Sequence, residues 1–174
     1  MKKMLVMSLA LAACAVLALG QEAKIKDVTP FTYACLECTG PYDQMAVKVP
    51  QFIGEFFKQK LVPAGTLVGV YLNSPAQVKP EELKWSIGFI VAKDAVVAAP
   101  LIKAEFSYTK AASIIHTGPY EKVGETYDKL MKFVGSSGLA VAGPVLEKYL
   151  NNPQMVKPEE LKTEIIVPVE PAKK

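Results

Sequence analysis

The sequence predicts an α+β fold built from two βαββ repeats, and its internal symmetry is the first observation that leads there. Three blocks of sequence recur at one gap-free offset of 78 residues. They are Thr-Gly-Pro-Tyr at 39–42 and 117–120, Tyr-Leu-Asn at 71–73 and 149–151, and Val-Lys-Pro-Glu-Glu-Leu-Lys at 78–84 and 156–162. Between these blocks, apolar residues alternate as in strands or recur every three to four positions as in helices. Two copies indicate a paired module, because a solenoid needs at least three.

The first repeat occupies about 30–92, and its pattern predicts one helix between strands. The strands are expected at about 30–38, 66–72 and 84–92, and the helix at about 43–60. Apolar side chains at helical spacing define one face of that helix: Met45, Val49, Phe52, Ile53 and Phe56. Pro50 falls inside this pattern and predicts a kink or a later start.

The second repeat occupies about 104–169 and has the same order of elements. Strands are expected at about 104–116, 143–150 and 162–169, with a helix at about 121–134 that ends at the glycines of 135–138. The connection between the repeats, 92–101, is short. Each repeat has one apolar sheet face and one helix, too little core to fold alone, so both are expected to pack as one domain over about 30–169.

Residues 1–20 are typical of a secretory signal peptide. Lys2 and Lys3 precede an apolar run from Met4 to Leu19, and small residues precede Gln21. The run is too short to span a bilayer. An alternative is a lipobox at Leu-Ala-Ala-Cys, which would lipidate Cys14 and anchor the chain to a membrane. Both routes predict an exported protein, periplasmic or secreted.

Composition and charge exclude several classes of function. Apolar residues make up 51% of the 174-residue chain, which excludes disorder as its main state. The formal charge of +3 falls to +1, 18 basic against 17 acidic residues, once the signal is removed. A near-neutral surface does not predict nucleic acid as a partner. No P-loop, Gly-x-Gly-x-x-Gly, nucleophile elbow or His-Glu-x-x-His motif occurs, and no cofactor or metal is expected.

Cys35 and Cys38 form a Cys-x-x-Cys pair, which raises the alternatives of a redox dithiol and half a metal site. The pair lies in a segment that alternates like a strand, where three residues span about 10 Å, beyond the reach of a disulfide. No second pair is present to complete a zinc site. We therefore predict two structural thiols.

Three segments resemble GyrI-like small-molecule-binding domains, also called AraC or bacterial transcription-activator effector-binding domains. They are Ile-His-Thr-Gly-Pro-Tyr-Glu-Lys-Val-Gly-Glu-Thr-Tyr-Asp-Lys-Leu at 115–130, and the segments 143–153 and 158–169. The resemblance implies one concave, antiparallel-rich sheet with helices on its outer face and a ligand in the cleft between two pseudo-symmetric halves. Many members are fused to helix-turn-helix modules, but the stretch before Phe31 is too short for one, so transcriptional regulation is not expected.

Positions that break the internal symmetry are the candidate site. Glu164 stands where the first repeat has Ser86, and Glu147 stands where it has Gly69. The resemblance implies that an acid in the Thr-Glu-Ile context faces the ligand. Glu147 and Tyr149, two apart on a strand, share one face. The predicted cleft is lined by Glu164, Glu147, Tyr149, Tyr71 and Trp85.

Each assignment has a structural alternative. Glu164 would face solvent, Glu147 would pair with a lysine such as Lys148 or Lys162, and Trp85 would be core. Acids beside aromatic rings suit a cationic or aromatic organic ligand. The first functional hypothesis is therefore an exported protein that binds a small organic molecule. The alternative is a hydrolase of small electrophilic compounds, with Glu164 or Glu147 as general base.

Overall fold

The computed structural model describes residues 22–173, which form strands and two α-helices. The elements are β1 (Lys24–Asp27), β2 (Phe31–Thr39), α1 (Met45–Lys58), β3 (Leu67–Tyr71), β4 (Lys84–Val91), β5 (Ile102–Phe106), β6 (Lys110–Thr117), α2 (Val123–Ser136), β7 (Leu139–Val141), β8 (Val145–Tyr149) and β9 (Lys162–Pro171). The predicted α+β fold of two βαββ repeats is confirmed. Signal cleavage and Cys14 lipidation concern residues outside the described range. Within that range no helix is long and apolar enough to cross a membrane.

The repeated blocks turn out to be the parts that shape the turns. Gly40 and Gly118 have φ of 110° and 130°, a region open to glycine, and their amides donate to Leu83 and Leu161 at 2.9 Å each. The Asn73 side chain donates to the Glu82 carbonyl at 3.0 Å and accepts from the Lys84 amide at 2.8 Å. Asn151 makes the same two contacts in the second repeat. The blocks recur because both copies close the same loops.

The sheet order is β1-β6-β9-β8-β3-β4-β2-β5, with β7 paired to β9. All of these pairs are antiparallel, and β3 and β8 meet at the centre. The terminal strands β1 and β5 each connect by three residues to a strand at the opposite end, and Val28 N donates to the Thr109 carbonyl at 2.8 Å. The sheet must therefore curl until its ends meet. Its inner face encloses one apolar cluster that includes Tyr33, Cys35, Val68, Val70, Phe106, Leu146 and Ile166.

Both helices lie on the outer face, as expected, and they leave a groove between them. Helix α1 packs on β2 and β4, where Phe52 and Phe56 meet Ile87. Helix α2 packs on β6 and β7, where Leu130 meets Ile114 and other apolar residues. The central strands β3 and β8 lie between these two contacts. We call the outer surface over β3 and β8, between the two helices, the groove; both repeats contribute to it.

Three details differ from the sequence prediction. The strand expected at 104–116 is two strands, β5 and β6, separated at 107–109. Strands β1 and β7, of four and three residues, were not predicted because such short segments carry too little periodicity. Helix α1 begins at Met45, after a 3₁₀ turn at Tyr42–Gln44, and continues through Pro50.

Cys35 and Cys38 are both free and buried, and they lie on opposite faces of β2. Burial raises the pKa of the Cys35 thiol to about 12, which makes it a poor nucleophile. We expect both thiols to be alkylated by iodoacetamide in unfolded protein that has never been reduced, and to react slowly in the folded protein. Mass spectrometry that finds both residues protected after unfolding without reductant would show a disulfide and contradict this.

Candidate functional site

The carboxylate of Glu147 lies on the floor of the groove and accepts three phenol hydrogen bonds. Tyr127 donates to Oε1 at 2.7 Å, and Tyr149 and Tyr71 approach Oε2 at 2.9 and 3.1 Å. The hydroxyls of Tyr71 and Tyr149 are themselves 2.9 Å apart. Glu147 is 7% exposed, so these phenols replace most of its hydration. Both carboxylate oxygens are thus held by neutral donors.

The sheet register explains how these residues meet. Glu147 and Tyr149 share the outer face of β8, and Gly69 on β3 lies directly opposite Glu147. A Cβ at Gly69 would lie 3.0 Å from the hydroxyl oxygens of both Tyr71 and Tyr149. Because Gly69 has no Cβ, the phenols of Tyr71 and Tyr149, which occupy equivalent positions in the two repeats, can both reach the Glu147 carboxylate. Tyr127 arrives from α2, at the position that Val49 occupies in α1.

Among residues 22–173, no lysine lies within ion-pair distance of Glu147. The ion pairs among residues 22–173 are Lys26–Glu164 and Lys58–Glu55. Lys148 follows Glu147 on β8 and therefore faces the other side of the sheet, where its Nζ lies 5.2 Å from the Phe31 ring centroid. The alternative in which Glu147 pairs with a lysine is thus not realised. In the part of the chain that the structure describes, the buried acid has hydrogen-bond donors but no ion-pair partner.

Burial and the nearby Glu147 charge affect the surrounding phenols. Desolvation first, and then the charges of neighbouring acidic groups, raise the pKa of Tyr71, Tyr127 and Tyr149 well above the ordinary tyrosine value. All three stay protonated at neutral pH and remain hydrogen-bond donors. The three phenols therefore act as hydrogen-bond donors, and the Glu147 carboxylate is their acceptor.

Tyrosines of the two repeated turns stand beside this cluster. The ring of Tyr42 meets Tyr71 edge-on at 5.2 Å between centroids, and Tyr120 meets Tyr149 in the same way at 5.9 Å. Tyr120 is 38% exposed, so this side of the groove reaches solvent. Tyr42, Tyr120 and Tyr127 were not among the candidate residues that the sequence indicated. The signal for Tyr42 and Tyr120 was the duplicated Thr-Gly-Pro-Tyr block, in which each is the last residue.

Trp85 lies behind the site rather than in it. The residue is 1% exposed, its indole N–H donates to the Gly40 carbonyl at 3.0 Å, and its ring lies 6.2 Å from Tyr42. Every polar atom of the indole is therefore satisfied within the first repeat. Trp85 is therefore a core residue that packs against the buried side of Tyr42.

Glu164 is not brought into the cluster. In the register of β8 and β9 it lies opposite Lys148, whereas Glu147 lies opposite Ile165, so the two acids face opposite sides of the sheet. Glu164 accepts hydrogen bonds from Lys26 at 2.5 Å and from Ser113 at 2.8 Å. Burial raises its pKa, but these two donors outweigh burial and lower the pKa below the ordinary value. It borders a separate cavity of about 220 Å³.

The stability of the fold is expected to decrease at alkaline pH. Burial raises the pKa of Cys35 from 9.0 and that of Tyr33 from 10.0, each to about 12. Between about pH 9 and 12 the unfolded chain releases protons that the folded chain retains, so the free energy of unfolding falls as the pH rises. At pH values well below 9 both groups are protonated in the folded and the unfolded chain, so their full contribution to the free energy of unfolding is present. Urea titrations across this range test it; a constant unfolding free energy would contradict the burial of these groups.

Family membership follows from a sequence profile that matches nearly all of the described chain. The profile of the GyrI-like small molecule binding domain matches residues 21–170. The chain belongs to the GyrI-like family. The groove between the helices, with Glu147 at its floor, is therefore the candidate ligand site of a GyrI-like domain. No curated protein is detectably similar to the chain in sequence.

Solved structures share the GyrI-like fold at low sequence identity. The C-terminal domain of EcmrR superposes with a TM-score of 0.75 at 19% identity, over 87% of this chain and 99% of that one. A hydrolase from Listeria innocua gives 0.66 at 15% identity, over 88% and 94%. SAV2435 bound to tetraphenylphosphonium gives 0.59 at 15% identity, over 86% and 94%. At these identities the likeness shows the fold alone.

Proposed function

We propose that this GyrI-like domain binds an aromatic organic cation in the groove between α1 and α2. The observation that carries the proposal is the Glu147 carboxylate, which is buried, held by three phenols and paired with no cation among residues 22–173. A buried charge is costly unless an opposite charge joins it. A cationic ligand supplies that charge.

The surroundings of the carboxylate suit the rest of such a ligand. Tyr42 and Tyr120 stand on either side of the Tyr71–Tyr149 pair and offer ring faces and edges to a flat or propeller-shaped aromatic group. Aromatic faces attract cations, and more strongly where water is excluded. The structure of SAV2435 bound to tetraphenylphosphonium supports the choice of ligand class, because that protein shares the fold.

A pair of probes of equal shape and opposite charge tests the proposal. Tetraphenylphosphonium and tetraphenylborate both place four phenyl rings around one centre, but the first is a cation and the second an anion. Isothermal titration calorimetry is expected to detect binding of the phosphonium and not of the borate. Equal affinity for both would show a groove that selects apolar surface alone, and absence of phosphonium binding would remove the proposal.

Hydrolysis is the weaker alternative. Glu164 and Glu147 cannot act together on one substrate, because Glu164 faces the other side of the sheet. Phenols already occupy three of the roughly four acceptor positions of the Glu147 carboxylate, and the residue is 7% exposed, which leaves little access for a water molecule that it would activate. We therefore propose binding without turnover, and the expected result is that the protein does not accelerate hydrolysis of an electrophilic test compound such as 4-nitrophenyl acetate.

We propose further that the domain works outside the cytoplasm. The support is the sequence of residues 1–20, a basic start followed by an apolar run. Expression in a bacterium with an intact secretion pathway is expected to yield a chain that begins near Gln21, measured as intact mass. A chain that begins at a lipid-modified Cys14 would instead show membrane anchoring, and one that retains Met1 would contradict export.

A further inference from the structure

The hydroxyl of Thr163 is a buried polar group with no partner. Thr163 lies on β9 and is 1% exposed, and among the described residues its Oγ1 is the buried side-chain oxygen or nitrogen that makes no hydrogen bond. Leaving a buried hydroxyl unpaired is destabilising, because the group loses its hydrogen bonds to water and gains none in return. Such a group in a native fold calls for an explanation.

Thr163 lies in the row of side chains next to the Glu147 cluster. The register places it opposite Tyr149 on β8 and opposite His116 on β6, all on the outer face. Neither neighbour is free to pair with it. Tyr149 is engaged with Glu147 and Tyr71, and the His116 ring nitrogens contact Thr126 Oγ1 at 2.8 Å and the Pro119 carbonyl at 3.1 Å.

The internal symmetry shows what is unusual about this position. Its counterpart in the first repeat is Trp85, whose large indole fills the equivalent place and satisfies its own N–H. The second repeat has a short hydroxyl side chain there instead. The same repeat carries Glu147 in place of Gly69. Glu147 and Thr163 are thus two polar side chains of the second repeat that replace Gly69 and Trp85 of the first.

We propose that the Thr163 hydroxyl hydrogen-bonds a polar substituent of the ligand, so that the groove prefers aromatic cations that also carry an amino or similar hydrogen-bonding group. This inference rests on the proposed function and refines it. The ligand then has a defined orientation. Its hydrogen-bonding substituent lies towards the second repeat, and its aromatic body lies towards Tyr42 and Tyr71.

Two probes and two variants test this. Ethidium is an aromatic cation with amino groups, whereas tetraphenylphosphonium has no hydrogen-bonding group. Thr163→Val keeps the shape and removes the hydroxyl, and Thr163→Ser keeps the hydroxyl. We expect Thr163→Val to weaken ethidium binding about five- to tenfold and to leave phosphonium binding unchanged, with Thr163→Ser close to the unaltered protein. The unfolding free energy of Thr163→Val should not fall, because the hydroxyl it removes has no partner.

The other outcomes separate this inference from the proposed function. Unchanged affinity of Thr163→Val for both probes would overturn the role of Thr163 while the cation site stands. Equal losses for both probes, or a drop in unfolding free energy, would show that the hydroxyl acts in the fold and would also overturn it. If neither probe binds the unaltered protein, the proposed function fails and this inference fails with it.

Discussion

Glu147→Gln is expected to weaken tetraphenylphosphonium binding by about ten- to a hundredfold, the largest functional effect of any single change. The amide keeps the size of the side chain but removes the charge that the ligand cation would meet, and opposite unit charges about 6 Å apart attract each other by about 3 kcal/mol at an effective dielectric constant near 20. The difference in affinity between the phosphonium and tetraphenylborate should shrink at the same time. Isothermal titration calorimetry measures both.

Glu164→Gln is the matched control, because it alters a partly buried acid on the neighbouring strand. Glu164 pairs with Lys26 on the opposite face, so its loss should leave phosphonium affinity unchanged. A variant pair in which Glu164→Gln weakens binding and Glu147→Gln does not would move the site to the inner face of the sheet. Circular dichroism on both variants checks that the fold is kept.

Trp85→Ala is expected to lower the free energy of unfolding by about 3–5 kcal/mol, the range for removing a large aromatic side chain from a core. The residue is 1% exposed, and its indole N–H fixes the Gly40 turn, so both packing and a hydrogen bond are lost. Urea denaturation measures the change. A marginal domain would lose much of its stability through this single substitution.

Trp85→Phe provides the test if the alanine variant does not fold. It keeps an aromatic ring but loses the N–H, and a smaller loss of stability is expected. Phosphonium affinity of the folded variant should change little, because Trp85 lies behind Tyr42. Normal stability together with lost binding would instead make Trp85 a ligand contact, as the sequence alone had suggested.

The fold was predictable because the turns and loops of the two repeats have the same sequence. Turns at Gly40 and Gly118, and the loops that Asn73 and Asn151 bridge, need particular side chains, so the repeated blocks kept them. Helices and central strands followed from apolar spacing between those blocks. The edge strands did not follow, since β1 and β7 are too short to show a period and owe their conformation to partners distant in sequence.

The site was predictable in part, because alternate residues of a strand share one face of the sheet. Glu147 and Tyr149 are two apart and had to share a face, and Tyr71 joins them through its symmetry-equivalent position. Whether Glu164 joins them depends on the register of β8 and β9, which no local pattern fixes. Alternation along β9 does not decide it either, because Ile165 and Val167 on one face and Ile166 on the other are all apolar and buried.

Tyr127 was missed for a related reason. Helical spacing places it among apolar residues of α2, and its ring does pack there. Its hydroxyl reaches Glu147 only because α2 lies on β6 and points that end of the side chain towards β8. Such a contact joins residues of separate elements and needs the tertiary structure.

A crystal structure of the protein with tetraphenylphosphonium tests the central claim most directly, since it locates the cation relative to both acids. We expect the phosphonium centre in the groove between α1 and α2, within about 6 Å of an aromatic ring face and beside the Glu147 carboxylate. A cation bound on the inner face near Glu164 and Lys26, with the Glu147 phenol contacts undisturbed, would contradict it.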